Sequence, residues 1–249
     1  MEQNLLGMLR RFFRSKNANV LPLSMAGDSD LRKEALIRHL LKESNTKNEA
    51  GWVAPLANTR FVVVDTETTG FNPNTDVLIA IGAVEMIGER IMPDAAFESL
   101  IRPEPARPIP PVVSKLTGIR DPDVAAAPKV ADVLQRFFEF AGDAVLVMHH
   151  AGHDVRFLNA ALWRTSRTHL THRVLDTHDV AKWVWPRLNQ YSLDDLLAAC
   201  RIPVAGRHTA IGDAKLTAQL WSILLQEIRQ KGVTTLGELY EAMILAKRV

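Results

Sequence analysis

Apolar residues gather in short runs that end in polar ones, and the spacing of those runs sets the expected elements. Phe61-Val62-Val63-Val64 is unbroken and mostly β-branched, the pattern of a strand buried on both faces. Asp65-Thr66-Glu67-Thr68-Thr69-Gly70 follows at once. Asn72-Pro73-Asn74 turns the chain. Val77 to Ile87 is a second apolar run holding Gly82, and Ala96 to Ile101 reads as a third strand. The short connections predict an antiparallel meander. Five prolines in 103–111 impose an irregular stretch. Val112 to Leu116 reads as a short helix closed by Gly118, and Val130 to Phe140 as an amphipathic helix stopped near Gly142. Val145 to Met148 is a fourth strand, followed by His149-His150-Ala151-Gly152-His153-Asp154 and a helix over Val155 to Trp163. Further helices are expected at 177–185, 192–200, 209–229 and about 235–246, with Ser192 and Asp195 arranged as in a capping box.

Upstream, Leu5, Leu6, Met8, Leu9, Phe12 and Phe13 alternate with arginines over 4–14, the pattern of a short basic amphipathic helix. Residues 29–41 carry Leu31, Ala35, Leu36, Leu40 and Leu41 on one stripe, with Ser29 or Asp30 as cap. Lys42 to Glu49 is polar without periodicity and reads as a linker. The expected organisation is a basic helical extension and linker over 1–50, an α/β domain over 51–230, and a C-terminal helix packed on it over 231–249.

Composition changes this picture little, because 47% apolar and 23% charged residues in 249 are ordinary for a globular protein. The single Cys200 cannot form an internal disulfide, so a reducing, cytoplasmic compartment is expected. No stretch approaches the ~18 apolar residues of a transmembrane helix. Arg10-Arg11 suggests a twin-arginine signal, but polar residues follow where an apolar segment is needed, so export is not expected. Charge is uneven. Residues 1–60 hold 10 Lys/Arg against 6 Asp/Glu, while the whole chain is only +2. The basic excess therefore belongs to the N-terminal arm, which suits nucleic acid or anionic lipid, although plain solvation also explains a modest excess.

Chemistry enters at the strand ends. Side chains at i and i+2 of a strand share a face, so Asp65 and Glu67 project together. Their repulsion and lost hydration favour a hard divalent cation, Mg²⁺ or Mn²⁺. Thr68, Thr69 and Gly70 add hydroxyls and a bendable backbone suited to gripping a polar substrate. A lone Asp-x-Glu also describes a strand that merely ends in solvated acids. Asp154 repeats the strand-to-acid junction, and parallel neighbouring strands bring their ends to one sheet edge. Arg207-His208-Thr209-Ala210-Ile211-Gly212-Asp213 opens the last long helix. Five residues at ~100° each would set His208 and Asp213 about 140° apart on a helix, so His208 is expected in the loop and Asp213 on the helix. Four carboxylates and an imidazole suit in-line displacement at a phosphodiester with two divalent ions ~3.5–4 Å apart. Asp65 would bridge both ions, Glu67 and Asp213 complete one, and Asp154 hold the other. His208 would take a proton from the attacking water.

In this order Asp65-x-Glu67, Asp154 and His208-x₄-Asp213 resemble the three exonuclease motifs of the DEDD superfamily, in its DEDDh branch. Ile81-Gly82-Ala83-Val84, Leu116-Thr117-Gly118-Ile119 and Arg207-His208-Thr209-Ala210-x-x-Asp213-Ala214 fall where that branch has them. Its members include the proofreading epsilon subunit of bacterial DNA polymerase III, ribonuclease T and oligoribonuclease. The resemblance covers about 61–229. It implies a ribonuclease-H-like mixed sheet flanked by helices, two Mg²⁺ or Mn²⁺ ions, and 3′→5′ hydrolysis that releases nucleoside monophosphates. Single-stranded DNA or RNA 3′ ends are the implied substrate, with DNA favoured, and a DNA polymerase or another replication or repair protein the implied partner. Thr66, Thr68, Thr69, Gly70 and His150 are the candidate substrate-binding residues. The family's second motif usually reads His-Asn-Ala-x-Phe-Asp; here His150 stands for the Asn and His153 for the Phe. Neither change removes an acid, so metal binding is expected to survive. The His-rich tract also suggests zinc, but zinc prefers a closed tetrahedral N/S set.

Other residues carry two readings. Trp163, Trp183 and Trp185 either stack on bases or pack helices. Asp176 is a further ligand or a structural hydrogen-bond acceptor, and Arg207 a phosphate contact or a surface charge. Three rival functions stand beside the leading one. An exoribonuclease of the ribonuclease T type needs no different motif. A haloacid-dehalogenase-type phosphatase needs a second Asp where Glu67 stands. A non-catalytic, polymerase-associated nucleic-acid-binding module has no need for the intact acids and His208.

Overall fold

A computed structural model describes residues 25–246, with the side chains of 30–44 and 51–246. The basic segment expected as a helix over 4–14 lies outside the described residues. One compact unit ends at Arg32 and the next begins at Lys33. Helix α1 (Met25–Ala50) runs through the stretch expected as a linker. Lys42 to Glu49 contains neither Gly nor Pro, and its polar residues each cost well under 1 kcal/mol in a helix. The helix also starts before Ser29 and Asp30, so neither caps it.

Five strands follow: β1 (Arg60–Thr68), β2 (Leu78–Ile87), β3 (Arg90–Leu100), β4 (Val145–Met148) and β5 (Val174–Asp176). They form one mixed sheet in the order β3-β2-β1-β4-β5. β1, β2 and β3 pair antiparallel as the expected meander, whereas β4 and β5 run parallel to β1. β3 begins earlier than its apolar pattern because Pro93 interrupts the run. A sheet edge tolerates proline, since no neighbour needs its missing N–H. β5 is only three residues long and has no readable period.

Helices cover both faces. They are α2 (Pro111–Thr117), α3 (Asp121–Ala125), α4 (Val130–Ala141), α5 (Gly152–Ser166), α6 (Thr177–Val184), α7 (Leu193–Ala199), α8 (Ala210–Gln230) and α9 (Leu236–Ala246). Side chains alternate along β1, so its apolar run feeds two cores. Phe61 and Val63 pack with Leu220, Trp221 and Leu224 of α8 and with Leu239 of α9. Val62 and Val64 pack with Leu134 and Phe137 of α4, Phe157 and Leu158 of α5, and Ile37 and Leu41 of α1. This is the expected ribonuclease-H-like mixed sheet between helices. No helix among the described residues is long and apolar enough to cross a membrane.

Candidate active site

The alternation that builds the two cores also aims the acids. Asp65 and Glu67 continue the parity of Phe61 and Val63, so they emerge on the α8 face. Asp65 pairs in register with Gly82 of β2. A Cβ on Gly82 would lie 2.2 Å from the backbone of Ala210 and Ile211. The missing side chain is therefore the seat on which the first turn of α8 rests against the sheet. Thr209 caps that turn by accepting from Gly212 N at 3.1 Å. Asp213, one turn in, is thereby delivered beside β1. Ligand oxygens of Asp65, Glu67 and Asp213 all lie within 4.8 Å of one another.

Asp154 arrives from the other direction. β4 runs parallel to β1, and the turn after it leads into the first turn of α5, where Asp154 is 4% exposed. Thr66 has the opposite parity to Asp65 and donates its hydroxyl to Asp154 Oδ1 at 2.6 Å. Thr66 was a substrate-binding candidate, yet it is 7% exposed and its hydroxyl is committed to an acid. Asp154 stands outside the three-acid group but close enough for its charge to raise Asp65 and Glu67.

Burial first, then Asp154, Glu67 and Asp213, hold the Asp65 carboxyl well above the usual carboxylate range, with Arg207 opposing. Burial together with Asp213 and Asp154 pushes Glu67 up to about 7. Burial raises Asp154 to about 7 against the Thr66 hydrogen bond. Such acids hold either a proton or a cation. Asp213 accepts from Arg207 Nη1 at 2.6 Å and from His208 N at 3.2 Å, both on Oδ2. Its Oδ1 is buried and has no hydrogen-bond partner. An all-oxygen donor set with one orphaned buried oxygen fits a hard divalent cation. His208 lies in the loop before α8, exposed, with a left-handed φ of 62°. Arg207 is not a free surface charge: beside Asp213 it also pairs with Asp194 at 2.7 Å.

The family model described as RNase T, exonuclease, matches residues 62–221, which hold all four acids and His208. The chain belongs to this exonuclease family. It is 38% identical over 186 residues to a DNA polymerase III subunit epsilon-like protein of Rhodobacter capsulatus, covering 74% of this chain and 26% of that one. It is 37% identical over 167 residues to the DNA polymerase III subunit epsilon of Treponema pallidum, covering 66% of this chain and 76% of that one. Several curated relatives are far longer, and the match spans only 13–29% of their length. In fold the chain is similar to the nuclease domain of 3′hExo, a DEDDh family member bound to rAMP. The TM-score is 0.60, with 19% identity over 68% of this chain and 92% of that one.

The remaining candidates of this exonuclease-family site are held tightly. Thr69 is buried; its hydroxyl donates to Asp76 Oδ1 at 3.3 Å and accepts from Val77 N at 3.0 Å. At Gly70 a Cβ would meet Asp76 Oδ2 at 2.5 Å, so a larger residue would push that carboxylate away from Thr69 and Asn72 N. Thr68 donates to Gly70 O at 2.6 Å and lies 3.4 Å from His153 Nε2. Phe71, which the sequence reading missed, is 87% exposed with its ring 5.9 Å from that of His153. In motif two, His150 has a φ of 57° and its ring rests 4.2 Å from that of His178. The backbone N–H groups of His150 and Ala151 donate to the two oxygens of Asp176 at 3.0 and 2.9 Å. Asp176 also caps α6 by accepting from His178 N, so it is structural. His149 faces Thr177 Oγ1 at 2.9 Å, and burial, with His150 and His178 nearby, lowers it to about 3. Among the described residues no histidine joins a group of three or more potential metal ligands. Trp163 is exposed and stacked on His169, whereas Trp183 and Trp185 pack on the core.

Proposed function

We propose that this chain is a metal-dependent 3′→5′ exonuclease that hydrolyses phosphodiester bonds at single-stranded 3′ ends and releases nucleoside monophosphates, with DNA favoured over RNA. The observation that carries the reading is the convergence of Asp65, Glu67 and Asp213 within 4.8 Å, beside buried Asp154 and with Asp213 Oδ1 left without a partner. Asp65, Glu67 and Asp213 would hold one Mg²⁺ or Mn²⁺, and Asp65 with Asp154 a second. When bound, the two cations neutralise charge on the attacking and leaving oxygens of the phosphodiester. The chain's own residues do the rest. His208, in an exposed loop against the acids, takes the proton of the attacking water. Thr68 and the Gly70 backbone line the approach to Asp65. Phe71 and His153 offer ring surfaces to a terminal base, as aromatic side chains do on single strands.

Resemblance to polymerase III relatives supports DNA as the preferred substrate and a cytoplasmic replication or repair protein as partner. A second reading, exoribonuclease activity, draws on the likeness to a domain whose structure holds rAMP. Matched 5′-labelled DNA and RNA oligonucleotides, digested with Mg²⁺, Mn²⁺ or EDTA, test both. A ladder shortening from the 3′ end, faster on DNA and abolished by EDTA, is expected. Undiminished cleavage in EDTA would sink the metal assignment, and faster RNA digestion would reverse the preference. His208→Ala should lower kcat by ~10²–10⁴-fold in folded protein.

A further inference from the structure

Arg207 lies between two carboxylates on two helices. Its Nη1 donates to Asp213 Oδ2 at 2.6 Å, while Nε and Nη2 donate to Asp194 Oδ1 and Oδ2 at 2.7 and 3.2 Å. Asp194 comes from the first turn of α7 and Asp213 from the first turn of α8. One planar fork thus ties the two helices together. His208 N also donates to Asp213, on the same Oδ2, and among the described residues Oδ1 has no hydrogen-bond partner. The loop is fixed at its far side as well. Thr209 Oγ1 donates to Gly206 O at 2.8 Å, and a Cβ on Gly212 would sit 1.8 Å from that same oxygen.

We propose that Arg207 and Asp194 are positioning residues: Arg207, held by Asp194, clamps one oxygen of Asp213 so that the other stays presented to a divalent cation, and fixes the loop that carries His208. The inference rests on the metal-site reading above. An ordinary surface ion pair contributes ~0–1 kcal/mol and would matter little to the chemistry. This one is shielded on the arginine side, whose side chain is 19% exposed, although Asp194 is 64% exposed. A lysine would not reproduce the arginine's contacts, because its three N–H donors radiate from one nitrogen and cannot match a planar fork spread between two carboxylates. Partners behind a metal ligand typically change metal affinity or activity by ~10–100-fold when removed.

A clamp and a mere charge predict different signs. If Arg207 acted only as a positive charge, deleting it would tighten cation binding, and deleting Asp194 would loosen it. If the two form a clamp, either deletion loosens binding, and losing both is no worse than losing one, because the contacts act in series. The test measures Mn²⁺ binding to the full chain by electron paramagnetic resonance, with kcat and KM on a single-stranded DNA oligonucleotide. Arg207→Gln, Asp194→Asn, the double variant and Arg207→Lys are compared, with thermal melts as a fold control. Each is expected to lose ~10–100-fold in Mn²⁺ affinity or kcat, with KM nearly unchanged and the lysine failing to restore function. Tighter Mn²⁺ binding in Arg207→Gln, full activity in Arg207→Lys, or additive losses in the double variant would overturn the proposal. Asp194→Asn is isosteric and exposed, so wild-type Mn²⁺ binding there overturns the clamp even if Arg207→Gln does not fold; loosening there is common to both readings, and Arg207→Lys, which keeps the charge and loses the fork, separates them. Asp213→Asn separates the two layers. Normal Mn²⁺ binding there defeats the metal-site reading itself; lost binding there, with wild-type behaviour in Asp194→Asn, defeats only the clamp.

Discussion

Without cations, the acidic cluster should make the folded chain less stable as pH rises through neutrality. Glu67 and Asp154 are both raised to about 7, and Asp65 is raised with them. Their unfolded values lie near 4, so over the interval between, the folded state binds more protons and stability falls with pH. Two buried histidines act the opposite way. Burial lowers His149 to about 3 and His172 to about 4, so each adds stability as pH rises. At pH ~6.5 the unfolded imidazole is still half protonated, so each histidine has roughly 0.4 kcal/mol of its gain left, and the acids act alone only above about pH 7.5. A group with a folded value near 7 loses roughly 1 kcal/mol between about pH 6.5 and about 8.5. Glu67 and Asp154 together lose about 2 kcal/mol, which the histidines' remaining gain trims to about 1 kcal/mol net, or roughly 2–4 °C in Tm for a domain of this size. The assay is a thermal melt series across that window in EDTA and in excess Mg²⁺. Cations bind the ionised acids, so the Mg²⁺ stabilisation should widen with pH. Glu67→Gln in EDTA should melt higher than wild type at the alkaline end, with a shallower slope. A flat or rising EDTA curve above pH ~6.5, or a Glu67→Gln curve matching wild type, would refute the reasoning.

Three further outcomes follow from single contacts. Gly82→Ala puts a Cβ 2.2 Å from the α8 backbone; it should cost ~1–3 kcal/mol and loosen Mn²⁺ binding by moving Asp213 from Asp65, and wild-type Mn²⁺ affinity would show that the seat is dispensable. Thr66→Val leaves Asp154 Oδ1 without its hydroxyl donor, which should raise that acid further and move the fall of Tm in EDTA to higher pH; an unmoved curve would detach Thr66 from Asp154. A chain beginning at Gly51 loses Ile37 and Leu41, both buried against Val62 and Phe137; at ~1.5–3 kcal/mol each it should melt many degrees lower, and an unchanged Tm would show that α1 adds nothing to the core.

What was legible in the sequence follows from where the physics is local. Phe61 to Val64 declares a doubly buried strand by itself, and parity then fixes where Asp65 and Glu67 point. The caps at Ser192 and Gly118 are equally local. Asp154 and Asp213 could be placed because each sits just past a readable boundary. Most of the failures are non-local. Arg207 finds Asp194 thirteen positions away through the packing of α7 on α8, and nothing in the surrounding pattern marks that pairing. Thr66 reads as a substrate hydroxyl until α5 brings Asp154 beneath it. Lys42 to Glu49 reads as a linker because its polar pattern hides an uninterrupted helix. β5 owes its existence to pairing with β4, since Leu146, Val147 and Met148 supply the ladder that three residues could not form alone.

The same distinction explains why motif two tolerates its two substitutions. The turn that delivers Asp154 is held by backbone, not by the side chains that differ. Asp176, at the end of β5, takes the N–H of His150 on one oxygen and that of Ala151 on the other. Those bonds are indifferent to the side chain at 150. The conformation is not indifferent, because φ there is 57°, a left-handed value that most residues resist. Asn, Asp and His are the non-glycine residues enriched in that region, so histidine can follow asparagine there at little backbone cost. Its ring then settles on His178, and burial, with that neighbour's charge, lowers the pKa of His150. His153 fills an aromatic's place, its ring 4.7 Å from Phe157 and 5.9 Å from Phe71. The presentation of Asp154 therefore depends on Asp176 and on the length of β5 that positions it. A carboxylate outside the four acids thus holds the turn that delivers one of them, from the strand least visible in the sequence.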